Sequence, residues 1–320
     1  MKYRTLGRTG LKVSEIAQGT WAFGNNVYGG VDEKQGIAAI HEGIDIGINL
    51  MDTAPQYGTD KQDGVAEIVL GKALKGKRDK VFISSKFGRN PCIEGGRSLF
   101  YKERVIASVE ESLKRLQTDH IDILFFHSPF SIDEIRDDVW EGLEQVKKQG
   151  KVRFVGHSVS MFQNTEHMAR EWAADGKIDL VQVVLSLMNR EAEQLVNDFL
   201  EMNVGVVARE CLANGFLAGV FNKDTIFKEG TLNARYSKEE LAERIDQVDA
   251  FRYLVRDDIN HMAQASLRWV LDQKGVSTVL SGAKNSMELK GAASASDAQP
   301  FSKEELAKAK SLLKMNFEAA

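Results

Sequence analysis

Asp52, Tyr57, Lys86 and His127 are side chains of the types needed to move a proton onto or off a carbonyl oxygen. A tyrosine hydroxyl, with an ordinary pKa of about 10, is a weak acid near neutrality, but an adjacent ammonium stabilises its phenolate and lowers that pKa. Lys86 supplies the ammonium, Asp52 a carboxylate to keep it charged and oriented, and His127 a donor to hold a substrate oxygen against the tyrosine. Together they form a proton relay for reducing a carbonyl or oxidising an alcohol. Taken singly, each has an ordinary use. Asp52 caps the turn in MDTAPQYG, Lys86 is a surface lysine after a strand, His127 before Ser128-Pro129 is a core or loop histidine, and Tyr57 beside Gly58 is a loop tyrosine. Only a fold that brings all four to one place makes them a site.

The elements that would do so are short apolar runs alternating with longer stretches of helical period, the pattern of βαβ units around a parallel sheet. Eight strand candidates occur: 14–20, 48–53, 80–86, 121–127, 151–158, 179–186, 204–210 and 276–282. Helical patterns fill 33–47, 64–75, 101–116, 135–149, 162–175, 190–202 and 257–273. In the third of these, Val105, Val109, Leu113 and Leu116 recur on one face. Eight such units without a Pro/Ser-rich linker predict one (β/α)8 TIM barrel spanning residues 1–320 as a single domain, with YRTLGRTGLKVS as an N-terminal β-hairpin capping its bottom. Barrel active sites lie at the C-terminal ends of the strands. Those ends carry Asp52, Lys86, His127, His157 with Ser158, Ser186, Arg209 with Glu210, and Ser281, while Gln182 lies inside the sixth run. Burying such groups unpaired costs several kcal/mol, so they are expected to pair with one another.

A proton relay of this kind needs a hydride source, which protein side chains do not provide, so a nicotinamide or flavin is implied. No GxGxxG opens the first βα unit. The Ser, Gly and Lys of LSGAKNS (280–286) instead suit a phosphate site built from the late strands. The net charge of −4 and pI near 6.0 argue against nucleic acid or anionic membrane as partner. No run of roughly 18 apolar residues would span a bilayer. Two cysteines, Cys92 and Cys211, give neither a disulfide framework nor metal-ligand spacing, so no metal site is expected and a reducing, cytoplasmic setting is. The oligomeric state is left open.

The chain also resembles a known family, the NAD(P)(H)-dependent aldo-keto reductases. The motifs that carry the resemblance are YRTLGRTGLKVSEIAQGTW, DTAPQYG, ISSKFG, RLQTDHIDILFFHSPF, GKVRFVGHS, VARECLANGFLAG and ASLRWVLDQKGVSTVLSGAKN. It implies a catalytic tetrad of Asp52, Tyr57, Lys86 and His127, with Tyr57 the general acid in reduction. It also implies cofactor contacts from Gly19, Thr20, Trp21, Asp52, Ser158, Gln182, Arg209, Glu210, Cys211, Leu212, Gly215, Ser281, Gly282, Lys284 and Glu288, and substrate walls from Trp21, Tyr28, Tyr57, Phe87, His127 and Phe130. The sequence departs from the family's habits in several places. Val159 stands where asparagine is frequent, Arg209 where a ring-stacking tyrosine is, Phe130 where an aspartate is, Glu288 where glutamine or arginine is, and Gly291-Ala292 where Glu-Asn is. Lys284 favours NADP(H), with NAD(H) the alternative because of Glu288. Phe216, Leu217, Phe221 and Phe227 either cover a dinucleotide or pack their loop on the barrel, and Arg97 either meets an anionic or polyhydroxylated substrate or is a solvated loop charge. The expected activity is interconversion of an aldehyde or ketone, sugars or sugar derivatives favoured, with an alcohol. The other readings are a nucleotide-binding regulatory subunit like the channel-associated members and a Schiff-base lyase, which would leave Asp52 and Tyr57 without a reason.

Overall fold

A computed structural model describes residues 1–24, 30–92 and 99–312. A short antiparallel hairpin, β1 (Tyr3–Thr5) and β2 (Lys12–Ser14), precedes eight parallel strands. These are β3 (Ile16–Gly19), β4 (Leu50–Asp52), β5 (Phe82–Phe87), β6 (Ile121–Phe126), β7 (Val152–Ser158), β8 (Leu180–Val184), β9 (Gly205–Arg209) and β10 (Thr278–Ser281). They close on themselves in the order β10-β3-β4-β5-β6-β7-β8-β9, a (β/α)8 TIM barrel. All eight expected strands are present, most of them shorter than expected; β5 begins later but runs one residue further, to Phe87. Their runs are apolar throughout because both faces are covered. In β6, Ile123 and Phe125 fill the barrel interior while Leu124 and Phe126 face the helices. The hairpin closes the floor: Leu6, Leu11 and Val13 pack with Ala17, Leu50, Ile123, Phe125, Leu180 and Val207 in that interior cluster.

The outer layer is α1 (Glu33–Asp45), α2 (Val65–Ala73), α3 (Lys102–Leu116), α4 (Val139–Lys148), α5 (Phe162–Ala174), α6 (Glu193–Glu201), α7 (Lys238–Ala250) and α8 (Met262–Leu271). Two further helices, α9 (Ser286–Ala293) and α10 (Lys303–Leu312), follow the last strand. The α3 stripe of Val105, Val109, Leu113 and Leu116 is buried as its spacing predicts. Where the sequence expected a helix from 257, α8 starts at Met262, because the His261 side chain accepts the Gln264 amide and caps it. Among the described residues no helix is long and apolar enough to cross a membrane.

One rim candidate belongs to this outer layer. His157 points away from the barrel interior into the rings of Phe126, Trp172 and, through them, Trp140. Both of its ring nitrogens lack partners among the described residues, and burial pulls its pKa from 6.5 to about 3. The unfolded chain therefore binds a proton that the folded one refuses between those values, and this contribution to stability falls as pH drops through that window. His157→Leu is expected to flatten the fall in melting temperature with acidification over this range.

Candidate active site

Backbone strain gathers on the C-terminal rim. Ser128 after β6, Met161 after β7, and Glu210, Ala213 and Asn214 after β9 are non-glycine residues with φ between 46° and 56°. Such left-handed conformations cost of order 1 to 3 kcal/mol each and persist where the surroundings impose them, often at functional sites.

Asp52 ends β4 and is nearly sealed from solvent. Its Oδ2 accepts from Lys86 Nζ at 2.7 Å, and its Oδ1 accepts from Ser84 Oγ at 2.8 Å and Gln182 Nε2 at 3.0 Å. Period-2 alternation along β5 explains this, since Ser84 and Lys86 share the inward face. Lys86, 1 % exposed, also donates to the Thr53 carbonyl at 2.8 Å. Burial alone would lower the Lys86 pKa, but Asp52 and Tyr57 outweigh it and hold the ammonium above its usual value. A charged pair this deep survives because further hydrogen bonds, from Ser84 and Gln182 to Asp52 and from Lys86 to Thr53, offset its desolvation.

Tyr57 comes back to the same rim around the Ala54-Pro55-Gln56 turn, its amide donating to the Ala54 carbonyl. Lys86 Nζ lies 4.8 Å from its ring centroid, Trp21 stacks at 6.0 Å, and His127 meets it edge-on at 5.9 Å. A Cβ on Gly24 would sit 2.1 Å from the Tyr57 carbonyl oxygen, so only glycine lets the segment after Trp21 approach this closely. The expectation that Lys86 lowers the tyrosine pKa holds for that one interaction. Burial and Asp52 push the other way, and the hydroxyl ends above 10, a neutral acid. His127 hangs from β5 through its amide, which donates to the Phe87 carbonyl. Burial, helped by Lys86, Arg89 and Arg209, drives its pKa well below 6.5, so the imidazole is neutral. The tetrad is thus one cluster that presents a neutral phenol and a neutral imidazole beside a fixed ammonium.

Other expected residues surround it. Thr20 binds the Asp52 carbonyl through its hydroxyl at 3.0 Å, which ties Gly19, Thr20 and Trp21 to the tetrad. Ser158 lies 3.1 Å from Ser128 and donates to Gln182 Oε1 at 3.4 Å. Arg209 pairs with Glu210 and donates to the Val159 carbonyl at 3.1 Å, its buried Nε without a partner among the described residues. A cavity of about 300 Å³ opens here, lined in part by Val159, Phe162, Asn189, Arg209 and Glu210. Leu212 and Gly215 shape the turn that follows, the Gly215 amide donating to the Leu212 carbonyl. At the end of β10, Ser281 is buried and Gly282 faces open space. Asn285 caps α9, accepting the Glu288 amide, and the Glu288 carboxylate in turn takes the Lys284 amide at 2.9 Å and the Asn285 side chain at 2.9 Å.

Several expectations are corrected. Phe87 is fully buried against Phe100 and Phe126, on the face of β5 opposite Lys86, and cannot wall the barrel mouth. Cys211 is buried, and burial together with Glu210 pushes its thiol far up, so any contact it makes with a cofactor is not that of a thiolate. Ser186 spends its hydroxyl on the Met188 and Asn189 amides of a turn. Phe216, Phe221 and Phe227 meet one another at 5.0–6.2 Å and Leu217 is sealed, which is the packing alternative for that loop. Tyr28 and Arg97 lie outside the described residues. Sequence reading missed Ser84, Thr53 and Arg89; Ser84 was legible from the strand period.

The aldo/keto reductase family model matches residues 15–314. Aldo-keto reductase YhdN of Bacillus subtilis is 32% identical over 303 residues, covering 90% of this chain and 87% of that protein. The NADH-specific methylglyoxal reductase of Escherichia coli is 30% identical over 303 residues, with 88% and 90% coverage. The solved glycerol dehydrogenase AKR11B4 of Gluconobacter oxydans superposes with a TM-score of 0.83 at 27% identity, over 98% of this chain and 95% of that one. Barrel, rim cluster and relatives agree, and the chain belongs to the aldo/keto reductase family.

Proposed function

We propose that the protein is a nicotinamide-dependent oxidoreductase that reversibly reduces an aldehyde or ketone to an alcohol, with Tyr57 as general acid and base. The observation that carries this reading is the closed Asp52–Lys86 pair beside a neutral Tyr57 and a neutral His127. When bound, a reduced nicotinamide supplies the hydride. The chain has groups that fit such a dinucleotide: the orphan Nε of Arg209, the open space at Gly282, and the start of α9. Ser158, Gln182 and Arg209 would hold the nicotinamide end, and Ser281, Gly282 and Lys284 the phosphate end. In reduction, His127 holds the carbonyl oxygen and Tyr57 gives it a proton. Lys86 then stabilises the phenolate left behind, and Asp52, Ser84 and Thr53 keep Lys86 in place. Oxidation runs through the same groups in reverse.

For coenzyme choice, the seating of Glu288 supports NAD(H) over the NADP(H) expected from Lys284. Its carboxylate already uses the Lys284 amide and the Asn285 side chain, and would repel a 2′-phosphate while accepting a ribose hydroxyl. Glu288→Gln should tighten NADPH relative to NADH by about tenfold in fluorescence titrations, about 1.4 kcal/mol. An unchanged ratio would remove Glu288 from this role. The names of the methylglyoxal reductase and the glycerol dehydrogenase point to small oxygen-rich substrates, in keeping with a sugar-derived carbonyl.

The purified protein, given NADH or NADPH and a broad panel of aldehydes and ketones, should show carbonyl-dependent loss of the reduced nicotinamide absorbance. Nucleotide binding with no turnover across the panel would favour the regulatory reading instead.

A further inference from the structure

Arg89 has no part in the relay, yet it stands two residues past the end of β5 on the same rim, and its charge is felt at His127. Its guanidinium lies 3.8 Å from the centroid of the Phe130 ring, the residue that replaces the family's frequent aspartate. Its Nε and Nη2 are buried and make no hydrogen bond among the described residues. Among the described residues no carboxylate pairs with it: Glu134, the nearest to influence it, receives the Phe130 amide at 3.0 Å. Two other cations of the rim are matched, Lys86 by Asp52 and Arg209 by Glu210. A buried guanidinium edge with unused donors is costly unless something completes it.

The segment that holds Arg89 is fixed on both sides. A Cβ on Gly88, whose φ is +98°, would fall 2.1 Å from the Phe100 ring, so the chain lies flat on that ring. Asn90 donates to Asp63 at 2.9 Å, and the Cys92 amide donates to the same carboxylate at 2.9 Å. Arg89 is therefore held between two anchored neighbours, with one face of its plane against Phe130 and its edge unspent. A planar fork set up this way suits two oxygens of one anionic group.

We infer that Arg89, stacked on Phe130, is a specificity-determining residue that receives an anionic group, a carboxylate or a phosphate, on the carbonyl substrate whose oxygen His127 and Tyr57 hold. The assignment rests on the carbonyl-reductase reading for the substrate's identity, but its anion-binding half is testable without turnover.

Two matched pairs of substrates test it: 4-oxobutanoate against butanal for the carboxylate, and glycolaldehyde phosphate against glycolaldehyde for the phosphate. The wild type should prefer the anionic member of at least one pair by about tenfold or more in kcat/KM, and the pair that responds identifies the anion. Arg89→Met, which keeps an apolar stem against Phe130, should collapse that ratio. Arg89→Lys should keep part of it, since a point charge lacks the fork. Equal kcat/KM within both pairs, or a preference that survives Arg89→Met, overturns the proposal. Calorimetry with succinate and with inorganic phosphate, in the presence of the oxidised nucleotide, supplies the second readout. Binding to the wild type that is lost in Arg89→Met supports the anion site even if no carbonyl is turned over, a result that would sink only the carbonyl-reductase reading. Absence of binding by both anions, together with no anionic preference, sinks the Arg89 assignment alone.

Discussion

Tyr57→Phe should lower the rate of carbonyl reduction by about 10² to 10⁴-fold, the usual contribution of a positioned general acid. The phenylalanine ring keeps the stack on Trp21 and the edge contact with His127, so the nucleotide dissociation constant should stay within about twofold of wild type. Single-turnover kinetics beside a fluorescence titration separates the two effects. The pH dependence has a definite sign. Because burial holds the Tyr57 hydroxyl above 10, its acid form persists through neutrality, and reduction should lose rate only as pH rises past that value. Oxidation, which needs the phenolate, should gain rate with pH over the same range. The neutral His127 adds no step near its ordinary 6.5, since its own proton affinity lies well below. Wild-type turnover retained in Tyr57→Phe would remove the tyrosine from the chemistry.

Lys86→Met should affect activity and stability together. Activity should fall by a factor comparable to the Tyr57 loss, because the phenolate that forms during reduction would have no cation beside it. Stability should fall by about 3 to 5 kcal/mol, the usual result of leaving one partner of a buried pair uncompensated, here Asp52 at 2 % exposure. The double variant Asp52→Asn/Lys86→Met separates the two roles. With no buried charge left unpaired it should recover much of the stability, as read by denaturant unfolding, and none of the activity. Recovery of turnover in the double variant would show that the ammonium is dispensable.

The barrel was legible because its signal is repeated: eight apolar runs, the first seven each followed by a helical period, restrict the topology far more than any one of them does. Asp52, Lys86 and His127 were legible for the same reason, as polar groups at the ends of apolar strands. The sequence was less able to say which way a side chain faces at the last residue of a strand. Phe87 was expected at the substrate mouth and instead packs outward, because Lys86 holds the inward position and alternation leaves no choice. His157 likewise turns toward Trp172, while the next residue, Ser158, turns inward to Gln182. The net pKa of Tyr57 was also out of reach. Residue types give the sign of the Lys86 interaction, but the size of the opposing burial exists only in the folded protein. Arg89 escaped notice because nothing local marks it: the Phe130 ring it stacks on lies far along the chain, and only the fold leaves it without a carboxylate among the described residues.

The central claim, hydride delivery to a carbonyl carbon with Tyr57 completing the alcohol, is tested most directly by following the hydride itself. The protein is incubated with reduced nicotinamide coenzyme deuterated at the transferring position and with the best carbonyl of the panel, and the product is read by NMR. Deuterium is expected on the carbinol carbon, none in solvent, with a rate of label transfer that drops in Tyr57→Phe. An unlabelled alcohol, or label transfer at the wild-type rate in Tyr57→Phe, would contradict it.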